Sequence, residues 1–164
     1  MDKFILKRQG IRWDGVPQPK LFVKDLSKEA ISYFKNKAGD TNRVLPELLK
    51  EKPDVLLEKL HLKTESSHLK KAVVLLFHPD PEKYITGASI KIGFFNTDDD
   101  LAYQDEIHGN LFAQVEKTME LLLSKYLKSA ISYKGIHRIE KYPVPEQALR
   151  EAVLNAIIHK DYSN

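Results

Sequence analysis

The chain has 164 residues, which suits one domain or two small ones, and 42% of them are hydrophobic while 30% are charged. Its 26 basic residues exceed its 23 acidic residues by only three. Dedicated nucleic-acid binders usually carry a larger basic excess, clustered on one face. The chain has no cysteine, which excludes disulfides, thiolate zinc sites and cysteine nucleophiles. We therefore expect a globular, cytoplasmic protein whose nucleic-acid binding is weak at most.

Membrane association is not expected. No apolar run approaches the length of about 20 residues that a membrane-spanning helix needs. The apolar segment Phe4-Ile5-Leu6 near the N-terminus is also too short for the core of a signal peptide.

Residues 1–24 are predicted to be a connecting arm. The stretch from Trp13 to Pro19 combines turn residues with two prolines, and the residue before a proline favours extended backbone. We expect Trp13 to dock this arm onto a neighbouring surface, and a base-stacking role is the alternative.

Residues 25–84 are predicted to form a helical subdomain. Ser27 suits a helix N-cap, and Leu26 with Ile31 suits a hydrophobic staple across that cap. Pro46 and Pro53 each suit the first position of a short helix. The apolar run at 72–77 is long enough for either a buried helix or a buried strand.

Residues 85–164 are predicted to be an α+β segment, which makes the fold class of the whole chain α+β. Apolar residues alternate with polar residues and glycine across 87–95, a pattern typical of a half-buried strand. The segment then continues with an acidic loop at 96–100, a long helix at 107–127, a hairpin at 129–141 and a last helix at 146–159.

The last helix carries the residues with the clearest chemical meaning. Glu151, Asn155 and His159 follow a spacing of four, so they share one polar stripe beside an apolar face formed by Leu149, Ala152, Val153, Ala156 and Ile157. A carboxylate one turn from a carboxamide can orient or deprotonate a water and hold Mg²⁺ beside a phosphate chain. Glu-x-x-x-Asn is a weak pattern, and spacing alone favours the simpler interpretation that these residues are the solvent-exposed edge of an amphipathic helix.

The string Ala148–Ser163 adds a resemblance. It closely resembles the signature that opens the ATPase-like region of the RecG-related regulators associated with Schlafen/AlbA-type domains. That region is in turn similar to the GHKL ATPases, whose first motif is the same Glu-x-x-x-Asn helix. Further upstream, the resemblance covers Asp25-Leu26, Leu56–Leu62, Lys71–Phe77, Ile90–Phe94, Asp105–Leu111 and Arg138.

The resemblance implies roles for four residues. Glu151 would be the catalytic carboxylate, and Asn155 would be the magnesium ligand. His159 and Lys160 would approach phosphate. Asn155, His159 and Lys160 would together be the cofactor-binding residues. The parent protein would use ATP and Mg²⁺, and its DNA binding would come from an upstream AlbA-like domain. A homodimer is compatible with such a regulator.

The same family pattern predicts that the nucleotide site is incomplete. A GHKL site also needs an Asp-x-Gly-x-Gly segment for adenine and a glycine-rich lid for phosphates. The seven glycines of this chain include no two within three residues of each other, so a phosphate-cradling loop is absent from the sequence. We therefore expect a middle fragment of a transcriptional regulator that is inactive by itself. The alternative is a connector or dimerisation module without nucleotide chemistry.

Two other patterns indicate little chemistry. The six histidines include no pair at metal-binding helical spacing. A basic group around the predicted hairpin suits either phosphate contact or a solvated face, and it comprises Lys125, Lys128, Lys134, His137, Arg138 and Lys141.

Overall fold

The structure is a computed structural model that describes residues 12–41, 44–127, 130–134 and 137–163. Within these ranges the chain forms six α-helices and two separate antiparallel hairpins. The fold is therefore α+β, as the sequence predicts. None of the described helices combines the length and apolar character needed to cross a bilayer.

The helices are α1 (Lys28–Asp40), α2 (Pro46–Lys50), α3 (Pro53–Lys59), α4 (Lys71–Phe77), α5 (Leu111–Leu121) and α6 (Glu146–Ile158). The strands are β1 (Ile90–Thr97), β2 (Asp100–Ile107), β3 (Ala130–Lys134) and β4 (His137–Lys141). Short 3₁₀ turns occupy Trp13–Gly15, Val23–Asp25 and Pro81–Lys83, and a π-helical turn at Leu122–Tyr126 follows α5.

Packing divides the chain into two compact units. The first comprises Met1–Ala88, Gly109–Phe112 and Tyr162–Asn164, and the second comprises Ser89–His108 and Ala113–Asp161. The domain limits predicted from sequence, at 1–24, 25–84 and 85–164, stay predictions.

The core of the first unit is built around α4. Its residues Val73, Val74, Leu75 and Phe77 are all buried, so almost every side of this helix faces protein. The Phe77 ring meets Phe34 edge-on with centroids 5.8 Å apart. The apolar run that suited either a helix or a strand is thus a helix, and its apolar character reflects burial all around.

The described part of the predicted arm is built into this unit. The Gln18 amide donates to the Leu69 carbonyl at 2.7 Å, and the Lys71 amide donates to the Val16 carbonyl at 2.8 Å. Val16 and Leu21 are buried. Residues 16–21 therefore pack as part of the first unit.

Trp13 docks within the first unit. Its ring stacks on Tyr162 with centroids 6.2 Å apart, and Lys71 Nζ lies 5.0 Å from the Trp13 ring centroid. Burial raises the pKa of the Tyr162 phenol above its ordinary value.

Helix α1 begins with the predicted cap. Ser27 Oγ accepts a hydrogen bond from the Ala30 amide at 3.0 Å and donates one to Glu29 Oε2 at 2.8 Å. A backbone hydrogen bond within Glu29, followed by the Ser27 hydroxyl, lowers the pKa of the Glu29 carboxyl. Leu26 and Ile31, the predicted staple pair, are both buried.

The β1–β2 hairpin corrects the predicted acidic loop. Thr97 pairs with Asp100, so the turn contains only Asp98 and Asp99. Strand β2 was missed because its exposed face carries charged residues and its apolar positions are few. The register runs from Ile90 opposite Ile107 to Phe94 opposite Tyr103, with bulges beyond Phe94.

Gly93 allows two apolar side chains to cover this hairpin. A Cβ at position 93 would lie 2.9 Å from the Phe95 ring and 3.1 Å from Leu101 Cδ1. Contacts that short cannot be accommodated without displacing a side chain, so glycine permits Phe95 and Leu101 to lie across the strand.

Two later elements agree with the sequence in part. The hairpin predicted at 129–141 is formed by β3 and β4, with Lys134 opposite His137. The helix predicted at 107–127 begins only at Leu111, because Ile107 ends β2 and Gly109 adopts a left-handed φ of 100°.

We predict that Ser27→Ala lowers the free energy of unfolding by about 1 kcal/mol, because it removes the hydrogen bond to the Ala30 amide. Urea denaturation followed by circular dichroism measures this change. Ser32→Ala is the matched control, since Ser32 is exposed within the same helix and should change stability by less than about 0.5 kcal/mol. Equal losses in the two variants would contradict the capping role.

Candidate functional site

Helix α6 presents the predicted site. Pro145 precedes its first residue, Glu146, and the helix ends where the His159 amide donates to the Asn155 carbonyl at 3.0 Å. Proline fixes a backbone angle that suits helix entry, which explains why the limits predicted from sequence agree with the structure to one residue.

The buried side of α6 is narrower than the sequence predicts. Ile157 is buried at 5% exposure, whereas Val153 and Leu149, one and two turns earlier, are half-buried. Ala152 and Ala156 are exposed, so their assignment to the buried face was wrong. The apolar contact of α6 is a single line of residues spaced by four.

Glu151 and Asn155 lie one turn apart and are both exposed. Among the described residues, neither side chain has a hydrogen-bond or ion-pair partner. Their carboxylate and carboxamide oxygens are hard ligands of the kind that Mg²⁺ prefers. Both side chains are accessible to solvent, which suits a ligand-binding pair and a solvated helix edge alike.

His159 and Lys160 differ in their surroundings. His159 is exposed at the end of α6 and continues the stripe of Glu151 and Asn155. Lys160 Nζ donates to the Ser89 carbonyl at 2.7 Å, so this ammonium group fastens the end of α6 near the start of β1. The structure thus brings three of the four predicted residues onto one stripe and gives Lys160 a backbone partner.

Ser89 also fixes the first hairpin. Its hydroxyl donates to Glu106 Oε1 at 2.8 Å, and this hydrogen bond is the main reason that the pKa of the Glu106 carboxyl is lowered. Lys160, Ser89 and Glu106 therefore form a chain of polar contacts within the second unit.

A bidentate ion pair holds α6 against α5. Arg150 Nη1 lies 2.8 Å from Glu116 Oε1, and Arg150 Nη2 lies 3.1 Å from Glu116 Oε2. Two parallel hydrogen bonds fix the rotation of a helix better than a single contact. Helical spacing predicts Glu146 as the partner of Arg150, and it gives no sign of Glu116.

A second titratable cluster lies between the β1–β2 hairpin and the turn after α5. Asp105 Oδ2 accepts from the Tyr126 hydroxyl at 2.6 Å and from Lys125 Nζ at 2.6 Å. Lys125 Nζ also lies 5.0 Å from the Tyr103 ring centroid. No sequence pattern indicates this cluster, because Asp105 and Tyr126 are distant in the chain and follow no motif.

The pKa values of Tyr126 and Asp105 are shifted in opposite directions. Burial, followed by the hydrogen bond to Asp105, raises the pKa of Tyr126 to about 12. The hydrogen bond from Lys125, followed by that from Tyr126, lowers the pKa of the Asp105 carboxyl. Each polar atom in these contacts already has a hydrogen-bond partner, so we interpret the cluster as a structural contact between the β1–β2 hairpin and the turn after α5.

The predicted basic group falls largely outside the side chains that the structure describes. Lys128 and the side chains at Lys134, His137, Arg138 and Lys141 belong to that part, so their role stays a prediction. Lys125, the remaining member, is paired with Asp105.

Comparisons with known proteins bear on the fold. The chain is similar to a solved structure, the DIP2311 protein from Corynebacterium diphtheriae, with a TM-score of 0.62 and 19% identity. The similarity covers 98% of this chain and 31% of that one, so this chain spans under a third of the length of the solved protein. At this identity the likeness shows the fold alone. No family model and no curated protein matches the chain.

We predict that Glu151→Ala and Asn155→Ala each change the free energy of unfolding by no more than about 0.5 kcal/mol, because both side chains are exposed and unpartnered. Ile157→Ala, on the buried line of the same helix, should cost about 2–5 kcal/mol. Urea denaturation of the three variants tests this. A large loss with Asn155→Ala would make Asn155 a structural residue and remove the basis for a ligand site.

We predict that Tyr126 loses its proton only near pH 12, which absorbance at 295 nm measures against pH. Asp105→Asn should shift that transition towards 10.0, and Tyr126→Phe should remove it. Because the folded-state pKa is raised, the stability contributed by Tyr126 is fully present below pH 10.0 and is lost as pH rises through 12.

The Asp105 contribution has the opposite dependence on pH. Its folded-state pKa lies below 3.8, so its stabilisation is present above pH 3.8 and is lost as pH falls through the folded-state value. An unchanged high-pH transition in Asp105→Asn would show that the contact between the two side chains does not form.

Proposed function

We propose that this chain is the middle segment of a RecG-related, DNA-binding transcriptional regulator, and that α6 carries the first motif of an ATPase-like domain. The observation that carries the proposal is the exposed, unpartnered pair of Glu151 and Asn155, one turn apart on a helix held by its opposite side. The resemblance of Ala148–Ser163 to the family signature gives this pair its chemical meaning.

Glu151 would act on the water that attacks the terminal phosphate. A carboxylate in this position accepts a proton from the water or orients it towards phosphorus. Glu151 is exposed, so a bound nucleotide could reach it without rearrangement of the helix. Arg150, its neighbour in sequence, binds Glu116 on α5 through two hydrogen bonds and so contributes to the position of α6.

Asn155 would hold Mg²⁺ through its side-chain oxygen. The carboxamide oxygen is a neutral hard ligand, and Mg²⁺ commonly combines one or two protein ligands with waters and phosphate oxygens. The oxygen atoms of Asn155 and Glu151 are of the kind that Mg²⁺ accepts as protein ligands. Bound Mg²⁺ would neutralise charge on the phosphate chain, and the task of Asn155 is to fix the position of that charge relative to Glu151.

His159 suits phosphate contact better than Lys160 does. His159 lies on the same stripe, one turn beyond Asn155. The Lys160 ammonium group is committed to the Ser89 carbonyl, and a role towards phosphate would first require breaking that hydrogen bond.

The rest of a nucleotide site would have to come from further sequence. The seven glycines of this chain are all isolated, so it offers no loop of consecutive amides for a phosphate chain. The fold also occurs as 31% of the longer DIP2311 chain, which is compatible with a segment of a larger protein. DNA binding would be the task of an upstream AlbA-like domain, in a cytoplasmic protein.

We predict that Glu151→Ala lowers ATP hydrolysis by the full-length protein at least 100-fold, because general-base groups contribute about 10²–10⁴ to rate. Asn155→Ala should raise the Mg²⁺ concentration needed for half-maximal activity. Phosphate release from ATP at several Mg²⁺ concentrations measures both effects.

The matched control is Gln147→Ala, which changes an exposed residue one turn before Glu151 on the same helix and should leave the rate within about twofold. ATPase activity that survives Glu151→Ala would contradict the assigned role. Absence of ATP hydrolysis in the unaltered protein would contradict the ATPase proposal itself.

A connector or dimerisation module is the second candidate. It is favoured by the exposed apolar side chains of α6, since Ile158 is 67% and Leu154 is 38% exposed. On this hypothesis Glu151 and Asn155 would lie on a solvent-exposed helix edge. Their replacement would affect neither nucleotide binding nor dimerisation of the chain.

A further inference from the structure

An open cleft in the first unit gathers positive charge. It has a volume of about 400 Å³, within the range of roughly 300–1,000 Å³ usual for ligand sites, and three lysines line it: Lys20, Lys24 and Lys83. Among the described residues, no carboxylate forms an ion pair with any of them. The cleft lining holds three ammonium groups and one carboxylate, that of Asp25, and this excess of positive charge favours an anionic ligand.

The same cleft exposes an aromatic surface. Phe22 is 57% exposed, and Lys24 Nζ lies 5.4 Å from its ring centroid. Tyr84 is half-buried, and Lys83 Nζ lies 5.9 Å from its ring centroid. Two of the lysines thus stand beside aromatic rings, so a flat group stacked on Phe22 would carry its negative charge next to ammonium groups.

The backbone that presents Phe22 is held in place. The Phe22 amide donates to Asp25 Oδ2 at 2.9 Å, and the Asp25 amide donates to the Phe22 carbonyl at 3.0 Å. The Asp25 carboxylate therefore has a structural partner already, although it lies in the cleft lining. A backbone held in this way loses little freedom when a ligand binds.

The wall beneath Tyr84 is similarly fixed. His78 is buried at 6% exposure and meets Tyr84 edge-on with centroids 4.9 Å apart. His78 Nδ1 lies 2.7 Å from the Asp80 carbonyl oxygen and 3.0 Å from the Asp80 amide nitrogen, so Asp80 sets the orientation of the ring.

Lys20 occupies an unusual backbone conformation. Its φ of 62° lies in the left-handed region, which glycine and asparagine adopt more easily than lysine. The surrounding structure holds a lysine at this position in spite of the cost, which places its side chain at the cleft. Conformational strain of this kind concentrates at binding sites.

We propose that this cleft binds a nucleotide unit of single-stranded nucleic acid, with the base on Phe22 and the flanking phosphates at Lys20, Lys24 and Lys83. Basic grooves with exposed aromatic rings are the usual means of binding unpaired strands, because every base has a face that can stack. A duplex keeps its base faces covered and offers Phe22 nothing to stack on. No residue of α6 takes part, so the proposal stands apart from the ATPase proposal.

The test uses the full chain and a fluorescein-labelled ten-residue oligothymidine, with binding followed by anisotropy at 50 mM salt. Lys20→Gln, Lys24→Gln and Lys83→Gln together should weaken binding at least tenfold. Three phosphate contacts to a single strand give a slope of about −2 for log K against log salt, and the triple variant should bring that slope close to zero.

The charge control removes three other exposed lysines of the same unit. Lys28→Gln, Lys37→Gln and Lys52→Gln together lower the net charge by the same amount and should weaken binding less than threefold. An equal loss in both triple variants would overturn the proposal, because the attraction would then come from net charge and not from the cleft.

The stacking control compares two exposed phenylalanines. Phe22→Ala should weaken binding about tenfold or more, whereas Phe95→Ala, which removes a ring that is 54% exposed, should leave affinity within about twofold. Circular dichroism and thermal denaturation check that each variant is folded. Unchanged affinity in a folded Phe22→Ala variant would overturn the placement of the base.

Free thymidine monophosphate and duplex DNA test whether the cleft prefers a single strand over a free nucleotide or a base-paired strand. Thymidine monophosphate should bind in the millimolar range and compete with the oligomer, and a ten-base-pair duplex should bind at least tenfold more weakly than the single strand. Duplex binding as tight as that of the single strand would overturn the proposal, as would failure of the oligomer to bind.

Discussion

A seven-residue helix that buries nearly all of its side chains has no polar face to orient it, so α4 depends on the segments around it. Val73, Val74 and Phe77 lose almost all contact with solvent, and each such burial contributes about 1.5–3 kcal/mol. Backbone hydrogen bonds fasten both ends, from the Lys71 amide to Val16 and from the Ser27 amide to the Phe77 carbonyl. The second bond also sets where α1 begins, because Ser27 is its N-cap.

The cleft that we assign to nucleotide binding follows from this arrangement. The chain that pairs with the start of α4 continues through Lys20 to Asp25, and the segment after the end of α4 supplies His78, Lys83 and Tyr84. The lysines therefore converge because both segments are tied to the ends of one buried helix. Local hydrogen bonds then hold the backbone that carries the Phe22 ring.

The motif on α6 shows what residue spacing can predict and what it cannot. A period of four put Glu151, Asn155 and His159 on one stripe, and these residues are all exposed in the structure. Spacing does not predict whether their side chains form hydrogen bonds or ion pairs with other residues. The absence of side-chain partners for Glu151 and Asn155 among the described residues is a tertiary property, and so is the bidentate contact of Arg150 with Glu116. The chemical assignment comes from the family resemblance and not from the spacing.

Sequence by itself determined the elements whose signals are local. These include the cap at Ser27, the prolines that open α2 and α3, the β3–β4 hairpin and the limits of α6, because capping, proline geometry and tight turns act within a few residues. Only the tertiary structure decided that 72–77 is a helix, that β2 pairs with β1, and that Lys160 binds the Ser89 carbonyl. Such contacts join residues far apart in the chain and depend on distance in space, so they leave no periodic pattern in the sequence.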